Sequence, residues 1–433
     1  MTPRAVTRVA VVGGGWAGLA AAVAGVRAGA QVTLFEMAPQ LGGRAREVAV
    51  DGLPLDNGQH ILIGAYRRTL ALMRQVGAAP EQQLLRRPLA LVYPDGRGLQ
   101  LPPGAAIPAF VRAVLGYRGW GWRDRAALLL AAGRWGASGF ACNERSTVAE
   151  LTRALTPRVR TDLIDPLCVA ALNTPAERAS GRVFLRVLRD ALFSGPGSAD
   201  LLLPRASLGA LLPAPAEAWL RHQGALLRTA HRVQALTPLG TGWQVDGEAF
   251  DSVVLAAPAR EAARLTAALA PAWAARAEAF DYEPIVTVYL RCPGARLPLP
   301  MMALHDGPQA PAQFIFDLGA LCPGRGTEGV MAMVVSGARD WVARGLEATG
   351  EAARAQALAA LAPGSFPAPP MVLRSLAEKR ATFLCTPGLD RPPADVAPGL
   401  WAAGDYVAGP YPATLEGAVI SGEAAMQAAL QSA

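Results

Sequence analysis

Glycines at positions 13, 15 and 18 follow the apolar run Val9-Ala10-Val11-Val12, and an acid, Glu36, stands 18 positions beyond the last of them. This spacing belongs to a backbone that binds the pyrophosphate of a dinucleotide. Gly13 permits the tight turn, Gly15 lets the backbone approach phosphate, and Gly18 lets the following helix pack closely on the strand. Trp16 and Ala17 open that helix, which the sequence predicts over about 17–28 with Gly29 ending it. Its free N–H groups and positive dipole end suit an anion. Glu36-Met37 closes the second strand, Val32 to Glu36, where a carboxylate accepts hydrogen bonds from adenosine ribose hydroxyls.

The next motif separates one dinucleotide from another. Leu41-Gly42-Gly43-Arg44 points to FAD: two glycines let the chain pass under the cofactor, and the arginine can meet phosphate or the flavin edge. An acid at 36, rather than a base, disfavours a 2′-phosphate. Further along, Asn57-Gly58-Gln59-His60 forms a polar turn feeding an apolar segment. His60 admits two readings: a general acid near the flavin, or a hydrogen-bonding structural histidine. Tyr411 likewise either stabilises a cation with its ring or simply packs. His222, His231 and His305 lack metal-ligand spacing, so no metal is expected.

These groups need elements to hold them. The chain reads as a Rossmann-type α/β FAD-binding domain in three pieces, residues 1–87, 198–259 and 371–433, with an α+β substrate domain inserted at 88–197 and 260–370. In the second piece, residues 226–229, 231–236 and 242–245 read as short strands, and Asp251 to Ala257 as a buried strand stopped by Pro258. In the third, a strand ends at Gly404-Asp405, a turn holding Pro412 follows, and a helix begins near Ala413-Thr414. In the first insertion, Trp120, Trp122 and Trp135 mix with Arg112, Arg118, Arg123, Arg125 and Arg134. That mixture suits either a helix at a membrane interface or a helical cap over a substrate tunnel.

With 433 residues, 52% hydrophobic and only 17% charged, the chain is greasy, yet no apolar stretch is long enough to span a bilayer. Five scattered cysteines without a C-x-x-C fit a reduced cytosolic compartment and exclude a zinc site. Net charge is +7, carried by 40 arginines and the single lysine Lys379. No basic block is interleaved with aromatics, so nucleic acid is excluded as a partner and an anionic membrane surface is favoured.

The N-terminal unit, the Gly42-Gly43-Arg44 loop, the segment around Val233 and the Gly404-Asp405 segment together resemble the flavin-containing amine oxidase and phytoene desaturase superfamily. Segments 55–64, 166–175, 200–204, 378–383, 403–406 and 416–418 resemble more narrowly the hydroxysqualene dehydroxylase family of bacterial hopanoid synthesis. The resemblance implies FAD contacts through Asp405 at the ribityl or phosphate portion, through the backbone of Val233 at adenine, and through Ala257, Pro412, Ala413 and Thr414. It also implies reductive removal of the hydroxyl of hydroxysqualene in a dry tunnel, in the cytoplasm or on the inner membrane face beside neighbouring squalene-pathway enzymes. Asp165 and Asn173, in the 166–175 region, either touch that hydroxyl or serve as a cap and a turn. Arg46-Glu47 departs from the Ser or Thr often found after Gly-Gly-Arg. Two other functions stay open: an oxidative desaturase or amine oxidase, and an FAD-stabilised scaffold without activity.

Overall fold

A computed structural model describes residues 6–432. The apolar run Val9 to Val12 lies in the strand Arg8–Val12 at the centre of a six-stranded sheet, because a parallel strand covered on both faces carries no alternation. The sheet order is Leu226–Arg228, Gln31–Phe35, Arg8–Val12, Ser252–Leu255, Leu400–Ala402, Asp395–Ala397. All pairs are parallel except the last. Val12 lies level with Phe35 and Leu255, and Leu255 with Ala402, which sets the three pieces of the cofactor domain side by side at their carboxyl ends.

The helix Trp16–Arg27 follows the first strand, and the C-terminal helix Leu415–Gln431 packs along it. Gly422 makes the contact possible: a Cβ there would lie 2.0 Å from the carbonyl oxygen of Ala17. Gly18 does the same at the turn, where a Cβ would fall 1.8 Å from the Gly13 carbonyl oxygen. This Rossmann-type unit matches the α/β class expected.

A second sheet is wholly antiparallel, in the order Met301–Ala303, Phe314–Asp317, Val330–Val335, Tyr282–Arg291, Met371–Phe383. Its last strand lies beyond residue 370, so the sheet extends past the boundary drawn from sequence. Residues 88–197 fold mostly as helices, chiefly Ala106–Gly116, Trp122–Ala137, Asp165–Leu172 and Gly181–Phe193. Leu91, Phe110, Trp135, Leu163, Phe184, Met301 and Phe314 join helices and second sheet in one hydrophobic core.

Two readings of local structure are corrected. Residues 231–235 are not a strand; the ladder begins at Leu236. Side chains satisfy this backbone instead: Asp246 Oδ1 accepts from the amides of Gln234 and Ala235, both at 2.9 Å, and Arg264 donates to the Val233 carbonyl at 2.6 Å. The last helix begins at Leu415, with Thr414 as its N-cap accepting from the Gly417 amide.

Candidate active site

At the carboxyl ends of the parallel strands lies a cavity of about 800 Å³ that runs on between the helical insertion and the second sheet. Its first half is built on the Gly13–Gly18 turn. Gly13 has φ +112°, and a Cβ there would meet the Ala256 carbonyl oxygen at 2.5 Å, so only glycine fits. Gly15 differs: its Cβ would meet nothing nearer than Gly43 Cα at 3.9 Å. The helix behind it has no side-chain N-cap and no acid in its first turn. Its first N–H groups are therefore left for an anion beside Gly15.

The Gly42-Gly43 loop lies against this turn, with the Gly42 amide donating to the Gly14 carbonyl at 2.9 Å and Gly43 at φ +62°. Glu36 is buried. Its two carboxylate oxygens accept from the amides of Gly14 and Ala38, both at 2.7 Å, while the side chain still lines the cavity. Trp16, Ala17, Met37, Val233, Ala257 and Ala413 line the same part, with Thr414 at the head of the last helix. Gly18 and Pro412 do not line it; Gly18 instead seats the helix on the turn.

Arg44 lines the cavity, with its guanidinium bonded to protein groups. Its guanidinium donates to Asp405 Oδ1 at 2.6 Å and to the Ala381 carbonyl at 2.7 Å. Burial alone would depress the guanidinium; Asp405, with smaller help from Tyr282 and Glu378, outweighs it and leaves the group above its ordinary value. The cation in this loop without a carboxylate partner is Arg46, which lines the cavity and donates to the Gly43 carbonyl at 2.8 Å. The position that departs from the family pattern thus supplies the charge suited to phosphate.

The turn at 57–60 also lines the cavity. Asn57 Nδ2 donates to Glu378 Oε2 at 3.2 Å, and Gln59 Nε2 to the Tyr289 hydroxyl at 3.4 Å. His60 Nδ1 donates to the Gly58 carbonyl at 3.1 Å, which fixes the tautomer and leaves Nε2 as an acceptor. Burial, with a smaller effect of Arg44, lowers its pKa further below neutrality. A neutral imidazole in this tautomer has no proton to give from Nε2, so the structure disfavours His60 as general acid.

Beyond the turn, the walls become apolar: Leu89, Leu91, Phe110, Leu128, Trp135 and Phe314 are representative. Asn173 borders this region but is spent on structure. It caps the helix Asp165–Leu172 in the left-handed region at φ +47°, donates to the Glu283 carbonyl and accepts from the Gly337 amide. Asp165 does not line the cavity. Tyr411 does, and its hydroxyl is held by Arg186 and Asp190 of the helix Gly181–Phe193. Sequence reasoning missed Asp190, which reaches the cavity from the helix Gly181–Phe193, and His231, Arg232 and Glu261, which lie close in sequence to Val233 and Ala257 but form no motif of their own. Glu416 lies in the first turn of the last helix. It also accepts from the amides of Arg68 and Thr69 at 2.9 Å, capping a second helix, Arg67–Gln75.

No helix among the described residues is long and apolar enough to cross a membrane. Among the same residues no cluster of metal-ligating side chains occurs.

Comparison with known proteins agrees with this geometry. The family model described as flavin containing amine oxidoreductase matches residues 16–430. A hydroxysqualene dehydroxylase from Rhodopseudomonas palustris is 29% identical, the match covering 96% of this chain and 97% of the relative. Another from Sinorhizobium fredii is 27% identical, covering 98% of each. A solved oxidoreductase from Methanosarcina mazei superposes with a TM-score of 0.73 at 15% identity, over 97% of this chain and 100% of that one. The uncapped helix, the open space at Gly15 and the buried Glu36 fit the FAD that this fold carries.

Proposed function

The chain belongs to the flavin containing amine oxidoreductase family, and from that premise we propose that this FAD-dependent enzyme removes the hydroxyl of a long isoprenoid alcohol, hydroxysqualene, to leave squalene and water. The observation that carries this reading is the apolar arm of the cavity, continuous with the cofactor half and walled by side chains such as Leu91, Phe110, Trp135 and Phe314. The full-length similarity to hydroxysqualene dehydroxylases supports the choice of substrate. Reduced FAD supplies the hydride. The alcohol loses its oxygen as water once protonated, leaving an allylic cation, so alcohol plus two electrons and two protons gives hydrocarbon plus water. The chain's part is to keep that cation dry, since water would trap it. His60, neutral and with Nε2 unprotonated, does not supply the proton in this state.

The outer face of the insertion supports delivery of such a substrate from an anionic membrane. Ile107 and Leu115 on the helix Ala106–Gly116, and Trp122 and Leu130 on the helix Trp122–Ala137, are exposed at eight-residue spacing, while Phe110, Leu128 and Trp135 of the same helices line the cavity. Residues 105–137 hold five arginines against one acid, Asp124, which is occupied by the Gly121 amide and the Thr156 hydroxyl. Sedimentation with phosphatidylglycerol vesicles should carry the protein down. Trp122→Ser with Leu130→Ser should release it; retention by that double variant counts against the membrane reading.

The activity test is anaerobic. Photoreduced protein mixed with hydroxysqualene should give squalene in step with reoxidised flavin. Flavin that stays reduced, with the alcohol recovered intact, would instead favour an oxidative reaction on a desaturable isoprenoid or an amine.

A further inference from the structure

One carboxylate interrupts the apolar wall that the helix Gly181–Phe193 presents to the cavity. Phe184, Val187, Leu188, Ala191 and Leu192 line it, and so does Asp190. A carboxylate on such a wall loses hydration, and the structure compensates it closely. Asp190 Oδ2 accepts from Arg186 Nε at 2.6 Å and from the Tyr411 hydroxyl at 2.8 Å. Arg186 Nη2 donates in turn to the Tyr411 oxygen at 3.1 Å, and its guanidinium lies 4.9 Å from the tyrosine ring centre. Asp190 Oδ1 receives only Arg189 Nε, at a longer 3.3 Å. Oδ1 of this cavity-lining residue therefore keeps accepting capacity.

We propose that Asp190, held by Arg186 and Tyr411, accepts the hydrogen bond of the substrate's hydroxyl and so distinguishes the alcohol from its hydrocarbon product. The assignment rests on the alcohol substrate proposed above. Substrate and product differ at that one group, and a site built to bond a hydroxyl discriminates strongly against the analogue lacking it. Two arginines against one aspartate leave this spot net positive, which disfavours the ammonium of an amine and suits a neutral hydroxyl. Asp190 and Tyr411 come from the helical insertion and the cofactor domain respectively, so the alcohol is bound where the two meet.

Binding to the oxidised holoenzyme tests this without turnover, read from perturbation of the flavin spectrum by hydroxysqualene and by squalene in the same detergent. The wild-type protein should prefer the alcohol by roughly tenfold or more. Asp190→Leu, which removes both acceptor oxygens, and Tyr411→Phe, which frees the carboxylate from its tether, should bring the ratio of the two Kd values towards one while squalene affinity stays unchanged. Should Asp190→Leu not fold, Tyr411→Phe carries the test alone, since it removes a single oxygen. A wild-type protein indifferent to the hydroxyl, or variants that keep the wild-type ratio, would overturn the assignment. A wild-type protein that prefers the alcohol yet forms no squalene when reduced would instead count against the reaction proposed above.

Discussion

Arg44 Nη2 lies 2.6 Å from Asp405 Oδ1, joining the Gly-Gly-Arg loop near the N-terminus to the Gly-Asp segment near the C-terminus across 361 residues. The same guanidinium reaches the Ala381 carbonyl at the end of the long substrate-sheet strand. One side chain therefore ties both outer pieces of the cofactor domain to the second sheet. Arg44→Met removes both contacts while keeping much of the stem. It should weaken FAD retention by roughly tenfold, measured as flavin released on dilution and gel filtration. A holoenzyme that keeps its flavin would show that the pair does not hold the site together.

Gly15 and Gly18 should separate cofactor binding from folding. Alanine at 18 puts a methyl 1.8 Å from the Gly13 carbonyl oxygen, so the helix must lift from the strand. We expect a loss on the order of 3 kcal/mol in unfolding free energy. Alanine at 15 meets no atom nearer than 3.9 Å. Apoprotein stability should be unchanged there while FAD affinity falls. Equal loss of stability in both variants would contradict the placement of Gly15 beside the phosphates.

Glu416 is buried and takes three donors: the Arg68 and Thr69 amides and, at 2.7 Å, the Thr69 hydroxyl. Glu416→Ala leaves the start of the helix Arg67–Gln75 uncapped against the last helix. The expected cost is about 3 kcal/mol, read from denaturant midpoints at constant m. A shift below about 1 kcal/mol would mean that water replaces the carboxylate there.

Asp56 gives the pH dependence. Burial, helped by Glu47 and opposed by the Leu208 amide and Arg325, pushes its carboxyl up to about 7. Between the ordinary value of 3.8 and about 7 the folded state holds a proton that the unfolded state releases. Its contribution is thus fully present at low pH and is lost as pH rises through about 7, by at most about 1.4 kcal/mol per pH unit. Asp56→Asn keeps an acceptor for the Leu208 amide and should flatten this part of the stability profile, raising stability at pH 8. An unchanged slope in that variant would exclude Asp56 as its source.

Much of the cofactor half was legible in sequence because its constraints are local. Gly13 and Gly18 are demanded by contacts inside one strand–turn–helix unit, and Val9 to Val12 read as a buried parallel strand from apolar continuity alone. The false strand at 231–235 shows where locality fails: its backbone partners, Asp246 and Arg264, are 11 to 31 residues away. An extended segment bonded to side chains has the same local pattern as one bonded to a neighbouring strand.

By itself, then, the sequence determined the dinucleotide-binding turn, the α/β class and the apolar character of the insertions, since spacing and hydrophobicity act over a few residues. Tertiary structure decided the rest of the site. It turned Arg44 towards Asp405, left Arg46 without a carboxylate partner, fixed the His60 tautomer with Nε2 as acceptor, and set Asp190 beside Tyr411. The reason is physical: the protonation and hydrogen-bonding state of a buried polar group depends on what desolvates it and what lies within about 3 Å. For these residues those neighbours arrive only when the chain has closed on itself.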